Sequence, residues 1–221
     1  MDKSELWQKL KVYLSHERIN LFDRILSDRT RHFTVAVENL FQSHNASAVM
    51  RNCDCFGIQD LHVIANDNLY KLSKNVAMGA EKWVDMHHYH RNLNNTQDCI
   101  DKLKSSGFKI VATSPNTEDI LLSDYDIRKK TAFFFGTERD GLSTTVLEQA
   151  DTLLKIPMYG FSESYNISVS AAIVLNDTVN RLKKSKVNWR MTQEEILEKK
   201  IDWAVKSIRS GPQLLRQFKD D

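Results

Sequence analysis

The chain has 221 residues, of which 41% are hydrophobic, and a formal net charge of +2. This size is enough for one domain with a sizeable core and appended helices. No segment approaches the ~20 apolar residues of a membrane span, and the first residues do not resemble a secretory signal, so we expect a cytoplasmic protein with no membrane partner.

The three cysteines, Cys53, Cys55 and Cys99, are few and odd in number, which is typical of reduced thiols. The Cys53-x-Cys55 spacing differs from the Cys-x-x-Cys of common zinc sites, and we predict no metal.

Charge is unevenly distributed along the chain. Residues 1–32 carry 7 Lys/Arg and 5 Asp/Glu, residues 33–180 carry 13 and 18, and residues 181–221 carry 11 and 6. Basic ends on an acidic middle favour a protein that approaches RNA with its termini. Charged helices that simply line a solvated surface would give the same count.

Both ends of the chain carry apolar stripes at helical spacing. One includes Leu6 and Leu10, the next includes Phe22 and Leu26, and a capping box at residues 192–195 opens a third helix. We therefore predict helical extensions at residues 1–32 and 185–221 around a domain at residues 33–184. Each stripe has to be buried against that domain or against a second copy of the chain.

The domain begins with a predicted strand at residues 33–38 and a helix at residues 45–57. Asn45 is a plausible N-cap and Gly57 a plausible C-terminal stop. Arg51 falls near the border of the apolar face of this helix. Taken alone, a helical arginine is ordinarily a solvated surface charge.

Strands and helices alternate through the middle of the chain. Strands are predicted at residues 61–64, 84–88 and 108–112, and helices at residues 74–80 and 93–106, the second of which Gly107 stops. This alternation predicts an α/β fold.

Two strand-to-loop junctions follow. Residues 131–135 run into a loop that begins at Gly136, and residues 153–156 run through Pro157 into a loop that leads to a largely apolar, and therefore buried, helix from Ile167. In a parallel sheet such junctions lie side by side and form one ligand pocket. Neither carries a phosphate-loop or dinucleotide fingerprint, which disfavours a dinucleotide-dependent oxidoreductase. The simpler alternative is that Ser164 or Asn166 merely caps the helix.

Three motifs, in order and at the right spacing, give a specific resemblance. They are Asn45 followed six residues later by Arg51, a hydrophobic strand followed by Gly136-Thr137-Glu138, and Ile156-Pro157-Met158 followed by residues 164–168, Ser-Tyr-Asn-Ile-Ser. In these features the chain resembles the SPOUT class of RNA methyltransferases, most closely the TrmH branch of 2′-O-ribose methyltransferases, over roughly residues 34–182.

The resemblance implies a mostly parallel sheet flanked by helices, a C-terminal segment threaded through a trefoil knot, and a homodimer. It also implies S-adenosylmethionine as cofactor and tRNA as substrate, with the D-loop guanosine the expected target. The residues that the family pattern assigns to the cofactor pocket are Thr113, Gly136, Ile156 and Tyr165. Those assigned to catalysis are Asn45, Arg51, Glu138, Ser164 and Asn166. Candidate phosphate contacts in the basic segments are Arg29, Arg31, Lys183 and Lys184.

Some positions depart from the family pattern. Gln42 and Ser43 stand where the tRNA branch usually has lysine and proline, and Tyr165 stands where leucine is usual. A ribosomal-RNA or other tRNA ribose target therefore stays open, as does a non-catalytic RNA-binding protein on the same scaffold.

Overall fold

The computed structural model describes residues 1–40, 43–66, 77–115, 119–137 and 139–220. The chain divides into two compact units. The terminal unit combines Met1–Thr30 with Arg190–Asp221, and the central unit is Arg31–Trp189. None of the helices in the described ranges is long and apolar enough to cross a bilayer.

The terminal unit joins the two predicted extensions into one body. In its described residues the helices are Lys3–Lys11, His16–Leu26, Gln193–Ser207 and Gly211–Asp220. Phe22 and Trp203 are fully buried and meet edge to face, with ring centroids 5.5 Å apart. The amphipathic stripes of the two chain ends are therefore buried against each other, whereas the predicted partner was the domain or a second copy of the chain.

The central unit is built on a seven-stranded sheet in the order β3-β2-β1-β6-β4-β7-β5. All of its pairings between described strands are parallel. The strands are β1 (Phe33–Glu38), β2 (Asp60–Ile64), β3 (Asp85–Tyr89), β4 (Lys109–Thr113), β5 (Ile120–Leu121), β6 (Thr131–Phe135) and β7 (Thr152–Lys155). This arrangement confirms the predicted α/β class with a mostly parallel sheet.

Helices cover both faces of the sheet. On one face the helices Ser43–Cys55 and Ile167–Lys184 pack over Val35, Phe133 and their neighbours. On the other face the helices Asn95–Ser105 and Thr144–Gln149 pack over Ala36 and Phe134. Alternate residues of β1 and β6 thus enter separate cores, so these two central strands are buried along their whole length, as parallel strands usually are.

Element boundaries follow local backbone chemistry. Gly57 and Gly107 end their helices with φ of +74° and +80°, in the left-handed region where glycine is favoured, as predicted. The helix predicted to start after Asn45 begins at Ser43, so Asn45 is not its N-cap. Residues 74–76 of the predicted 74–80 helix lie outside the described residues, and Ala80–Lys82 form a short 3-10 helix.

Candidate active site

A cavity of about 710 Å³ opens at the carboxyl ends of β4, β6 and β7, which are neighbours in the sheet. Its lining includes the end of β4 and the two residues after it, the end of β6 and residues 136–137 and 139–142 of the following loop, and Leu154 and Ile156 at the end of β7. Open parallel sheets bind ligands at this edge, and the volume falls in the ~300–1,000 Å³ range of small-molecule sites. The two strand-to-loop junctions that were predicted to lie side by side do form one pocket.

One wall of the cavity is a tight backbone loop after β6. The backbones of Thr137 and Gly141 exchange two hydrogen bonds, of 3.0 and 3.1 Å. A Cβ atom on Gly136 would lie 2.1 Å from the carbonyl carbon and oxygen of Gly141 and 2.3 Å from the amide nitrogen of Leu142. Glycine is therefore required at position 136 by the close approach of the two backbone segments.

All four predicted cofactor residues line this cavity. Thr113 donates a hydrogen bond from its hydroxyl to the carbonyl oxygen of Phe134, at 2.8 Å, which ties the end of β4 to β6. Ile156 contributes apolar surface, and Tyr165 is 40% exposed at the mouth. The predicted catalytic Ser164 also lines the cavity.

The first and third motifs meet through their asparagines. The side chain of Asn166 donates from Nδ2 to Oδ1 of Asn45, at 3.1 Å, and accepts from the backbone N–H of Ser168, at 2.9 Å. Asn166 is thus the N-cap of the Ile167–Lys184 helix and also a link to the buried Asn45. Asn52 adds a bond from Nδ2 to the carbonyl oxygen of Ser168, at 2.7 Å. The capping interpretation of Asn166 is confirmed, and its assignment to the catalytic site stays a prediction.

The remaining predicted catalytic residues are placed differently. Arg51 lies on the same helix as Asn45 but is exposed and is not among the residues that line the cavity. Glu138 lies outside the described residues. Sequence reasoning missed Leu142, Leu147 and Leu153, which supply apolar cavity wall. Leu142 lies in the loop after β6, Leu147 lies on the Thr144–Gln149 helix and Leu153 lies on β7, and in the sequence each is an ordinary apolar residue.

The prediction that Arg29 contacts phosphate is wrong, whereas Arg31, Lys183 and Lys184 stay predictions. Arg29 is 1% exposed, and its guanidinium lies 5.3 Å from the ring centroid of Trp203, so this side chain has no surface from which to reach a phosphate. Arg31 is paired with Asp60 at 3.1 Å and with Asp85 at 2.9 Å, so two carboxylates already neutralise its charge. Lys183 and Lys184 are exposed in the last turn of their helix, and the ammonium of Lys183 lies 5.8 Å from the ring centroid of Trp189.

A second polar cluster lies on β2 and β3. The ring of His62 stacks on that of His87 at 4.6 Å, and Nε2 of His87 lies 2.8 Å from Oδ1 of Asp60. Burial, reinforced by the nearby His87, lowers the pKa of His62 to about 3 although Asp60 opposes the shift. Burial raises the pKa of Asp60, but its hydrogen bond from His87 and the charge of Arg31 outweigh that effect and leave the pKa lowered. In the sequence this cluster is visible only as a high density of histidines between residues 87 and 90.

An open parallel α/β sheet with a small-molecule cavity at the carboxyl ends of three adjacent strands defines the class of this protein. Residues 32–176 match the model of the SpoU rRNA Methylase family. A tRNA (guanosine(18)-2′-O)-methyltransferase of Borreliella burgdorferi is 41% identical over 186 residues, which are 84% of each chain. The chain therefore belongs to the SpoU methylase family.

Solved structures agree with this assignment. The crystal structure of the A. aeolicus TrmH/SpoU tRNA modifying enzyme matches with a TM-score of 0.76 and 29% identity, over 87% of this chain and 97% of that one. The SpoU methyltransferase AviRb from Streptomyces viridochromogenes, solved in complex with the cofactor AdoMet, matches with a TM-score of 0.60 over 74% of this chain and 62% of that one. At 19% identity the second match supports the fold alone.

Proposed function

We propose that the protein transfers a methyl group from S-adenosylmethionine to a ribose 2′-hydroxyl of tRNA, and that the target is the D-loop guanosine at position 18. The observation that carries the proposal is the cavity at the ends of β4, β6 and β7. All four residues that were predicted to bind the cofactor line it. We infer the substrate from the relative of Borreliella burgdorferi, which is named as a methyltransferase of guanosine 18 in tRNA.

The residues of the cavity suit this cofactor. The backbone after Gly136 offers amide and carbonyl groups at a sheet edge, and Leu142, Leu154 and Ile156 form apolar surface suited to an adenine ring. The hydroxyl of Ser164 and the carboxylate of Glu163 lie at the same cavity and suit the polar methionine portion. When bound, S-adenosylmethionine supplies an electrophilic methyl group.

The target ribose has to be held in line with that methyl group and must lose its hydroxyl proton. The linked pair of Asn45 and Asn166 fixes the start of the Ile167–Lys184 helix beside the cavity-lining Ser164 and Tyr165. In our proposal Ser164 and the two asparagines orient the substrate. Glu138, assigned to catalysis by the family pattern, keeps that role as a prediction.

For Arg51 we propose an electrostatic role. A guanidinium is a poor base near neutral pH because it holds its proton tightly, whereas it can bind the phosphate beside the target ribose and stabilise the forming alkoxide. Arg51→Lys should therefore keep measurable activity, down by roughly tenfold, with an unshifted pH profile. Complete loss of activity in Arg51→Lys, with tRNA and cofactor still bound, would contradict this role.

We also propose that the chain acts as a homodimer whose C-terminal segment forms a trefoil knot, in the cytoplasm. One face of the N-terminal half of the Ile167–Lys184 helix supports the dimer, because the apolar side chain of Val169 is 43% exposed and that of Ile173, about one turn further on, is only partly buried. Its expected partner is the same face of a second copy, related by a twofold axis. Sedimentation equilibrium measures the mass of the assembly. We expect the mass of two chains for the unaltered protein and the mass of one chain for Val169→Arg.

The decisive experiment supplies methyl-labelled S-adenosylmethionine to the purified protein with unmodified tRNA transcripts, followed by nuclease digestion and mass spectrometry. The expected product is 2′-O-methylguanosine at position 18, with no label in a transcript that carries adenosine there. Label in ribosomal RNA and not in tRNA would support the alternative that the family description suggests. Binding of RNA without any labelling would support a non-catalytic RNA-binding protein.

A further inference from the structure

The carboxylate of Glu38 is buried near the cavity, and the methyl-transfer reaction proposed above assigns it no role. Glu38 is the last residue of β1, is 2% exposed and does not line the cavity. A carboxylate removed from water in this way is stable only when hydrogen bonds replace its hydration. The groups that donate these hydrogen bonds therefore indicate the structural role of Glu38.

Within the described part of the chain, three hydrogen bonds reach the two oxygens of Glu38. Oε1 accepts from the hydroxyl of Thr96 at 2.6 Å and from the hydroxyl of Ser143 at 2.8 Å. Oε2 accepts from the backbone N–H of Ser143, also at 2.8 Å. Two of these three donors belong to Ser143, so the carboxylate accepts hydrogen bonds from both its backbone and its side chain. Bonds to an ionised acceptor are about twice as strong as bonds between neutral groups.

Ser143 is the residue through which Glu38 reaches the cavity. It directly follows Gly141 and Leu142, which line the cavity, and it is the N-cap of the Thr144–Gln149 helix, whose Leu147 also lines it. The other end of the same loop is set by the close approach of Gly136 to Gly141. The loop wall is thus held at one end by backbone packing and at the other by Glu38.

We propose that Glu38 is a positioning residue that sets the place of the Gly141 to Ser143 wall and thereby the affinity of the cavity for S-adenosylmethionine. This inference rests on the proposed function for the identity of the ligand. Glu38 touches neither substrate nor cofactor and acts through Ser143. An ionised carboxylate accepts on both oxygens, whereas the neutral amide of Glu38→Gln must turn its NH₂ group either toward the backbone N–H of Ser143, which cannot accept, or toward the two hydroxyls, which must then reverse from donors to acceptors.

Glu38→Gln keeps the shape of the side chain and is the main variant. We expect its KM for S-adenosylmethionine, and its dissociation constant for S-adenosylhomocysteine measured by calorimetry, to rise about tenfold, which corresponds to about 1.4 kcal/mol. At saturating cofactor kcat should stay within about threefold of the unaltered enzyme, because the groups that touch the ribose are unchanged. Ser143→Ala should raise the same KM, and its effect should not add to that of Glu38→Gln, because both remove one interaction.

Thr96→Val is the matched control. It removes one donor to the same carboxylate while both bonds to Ser143 stay in place. We expect a lower unfolding temperature for Thr96→Val with an unchanged KM for the cofactor. Equal KM values in Glu38→Gln, Ser143→Ala and the unaltered chain would overturn the inference, whatever happens to stability. If Glu38→Gln does not fold, the KM of Ser143→Ala for the cofactor still tests the inference, because an unchanged value would overturn it.

The binding measurement separates this inference from the proposed function. Cofactor binding that weakens in Glu38→Gln supports the positioning role even if no tRNA is methylated. Binding that is the same in both proteins overturns the positioning role and leaves the methyltransferase proposal intact. A complete lack of cofactor binding by the unaltered chain would overturn both.

Discussion

Replacement of Gly136 by alanine tests whether the loop after β6 forms the cofactor site. The added methyl group would lie 2.1 Å from two backbone atoms of Gly141 and 2.3 Å from the amide nitrogen of Leu142. These are backbone atoms, which cannot rotate away as a side chain can. The loop that carries Thr137 and Gly141 therefore has to move as a whole.

The size of the effect follows from that displacement. An ordinary contact of a methyl carbon is about 3.5–4 Å, so the backbone has to retreat by more than ~1 Å. Overpacking of this kind costs ~1–3 kcal/mol of folding stability, and a displacement of ~1 Å at a site that positions a reaction can cost ~100-fold in rate. We expect Gly136→Ala to fold, to unfold at a lower temperature, and to lose at least about 100-fold in kcat/KM for S-adenosylmethionine.

Gly160→Ala is the matched control, because a Cβ atom there would meet nothing within 4 Å and its φ is not in the left-handed region. Calorimetry with S-adenosylhomocysteine, methyl transfer to tRNA and thermal unfolding should be measured on both variants. Gly160→Ala should behave like the unaltered chain in all three. Cofactor binding by Gly136→Ala with unchanged affinity would refute the assignment of this loop to the cofactor site.

Three further predictions concern protonation, the asparagine link and the terminal unit. His62, with its pKa near 3, is neutral when folded and takes up a proton when unfolded, so stability should fall as the pH drops from about 6.5 toward 3. At pH 5 this loss is ~2 kcal/mol, and urea titrations of His62→Asn should show a correspondingly flatter pH dependence. Asn166→Ser keeps a capping oxygen but cannot reach Asn45, so methyl transfer should fall at least about tenfold while the unfolding temperature changes little. Thr192→Ala removes the capping box with Glu195 and should destabilise the terminal unit by ~1 kcal/mol in chemical denaturation, with kcat unchanged.

The central strands β1 and β6 were predictable because they are short runs of strand-forming residues that are buried along their whole length. The predicted strands at residues 33–38 and 131–135 coincide with β1 and β6, and the other predicted strands shift by one residue at most ends. Gly57 and Gly107 adopt the positive φ that a helix stop requires. The two-residue β5 was missed, because so short a segment carries no periodicity.

The cavity was predictable for a related reason, since its residues follow strands whose parallel pairing brings their carboxyl ends together. Thr113, Gly136 and Ile156 are 43 residues apart in the chain at most and meet at one sheet edge. What the sequence did not reveal was the double role of Asn166. A cap needs only a local acceptor, whereas its bond to Asn45 spans 121 residues and exists only once the helices have packed.

The partner of an amphipathic helix is harder to predict than the helix itself. A stripe of leucines is satisfied by any apolar surface of suitable shape, because hydrophobic burial is non-directional. The stripes at the two chain ends were therefore assigned correctly to helices, but their burial in one terminal unit was not foreseen. A bridge between the backbones of Thr30 and Arg190 closes that unit where the two ends meet.

The distribution of charge along the sequence likewise does not show which basic side chains are engaged within the fold and which are available to RNA. Divided at the unit boundaries, residues 31–189 carry 18 basic and 18 acidic residues, so the acidic middle of the linear sequence disappears. Arg29 stacks on a tryptophan, Arg31 is paired with two aspartates, and Arg181 bonds to Asp177 and to the carbonyl oxygens of residues 122 and 125. These arginines stabilise the fold, and fixed ion pairs release few counterions when RNA binds. Lys184 should therefore contribute to the salt dependence of tRNA binding, and replacing Arg31 should alter stability more than that dependence.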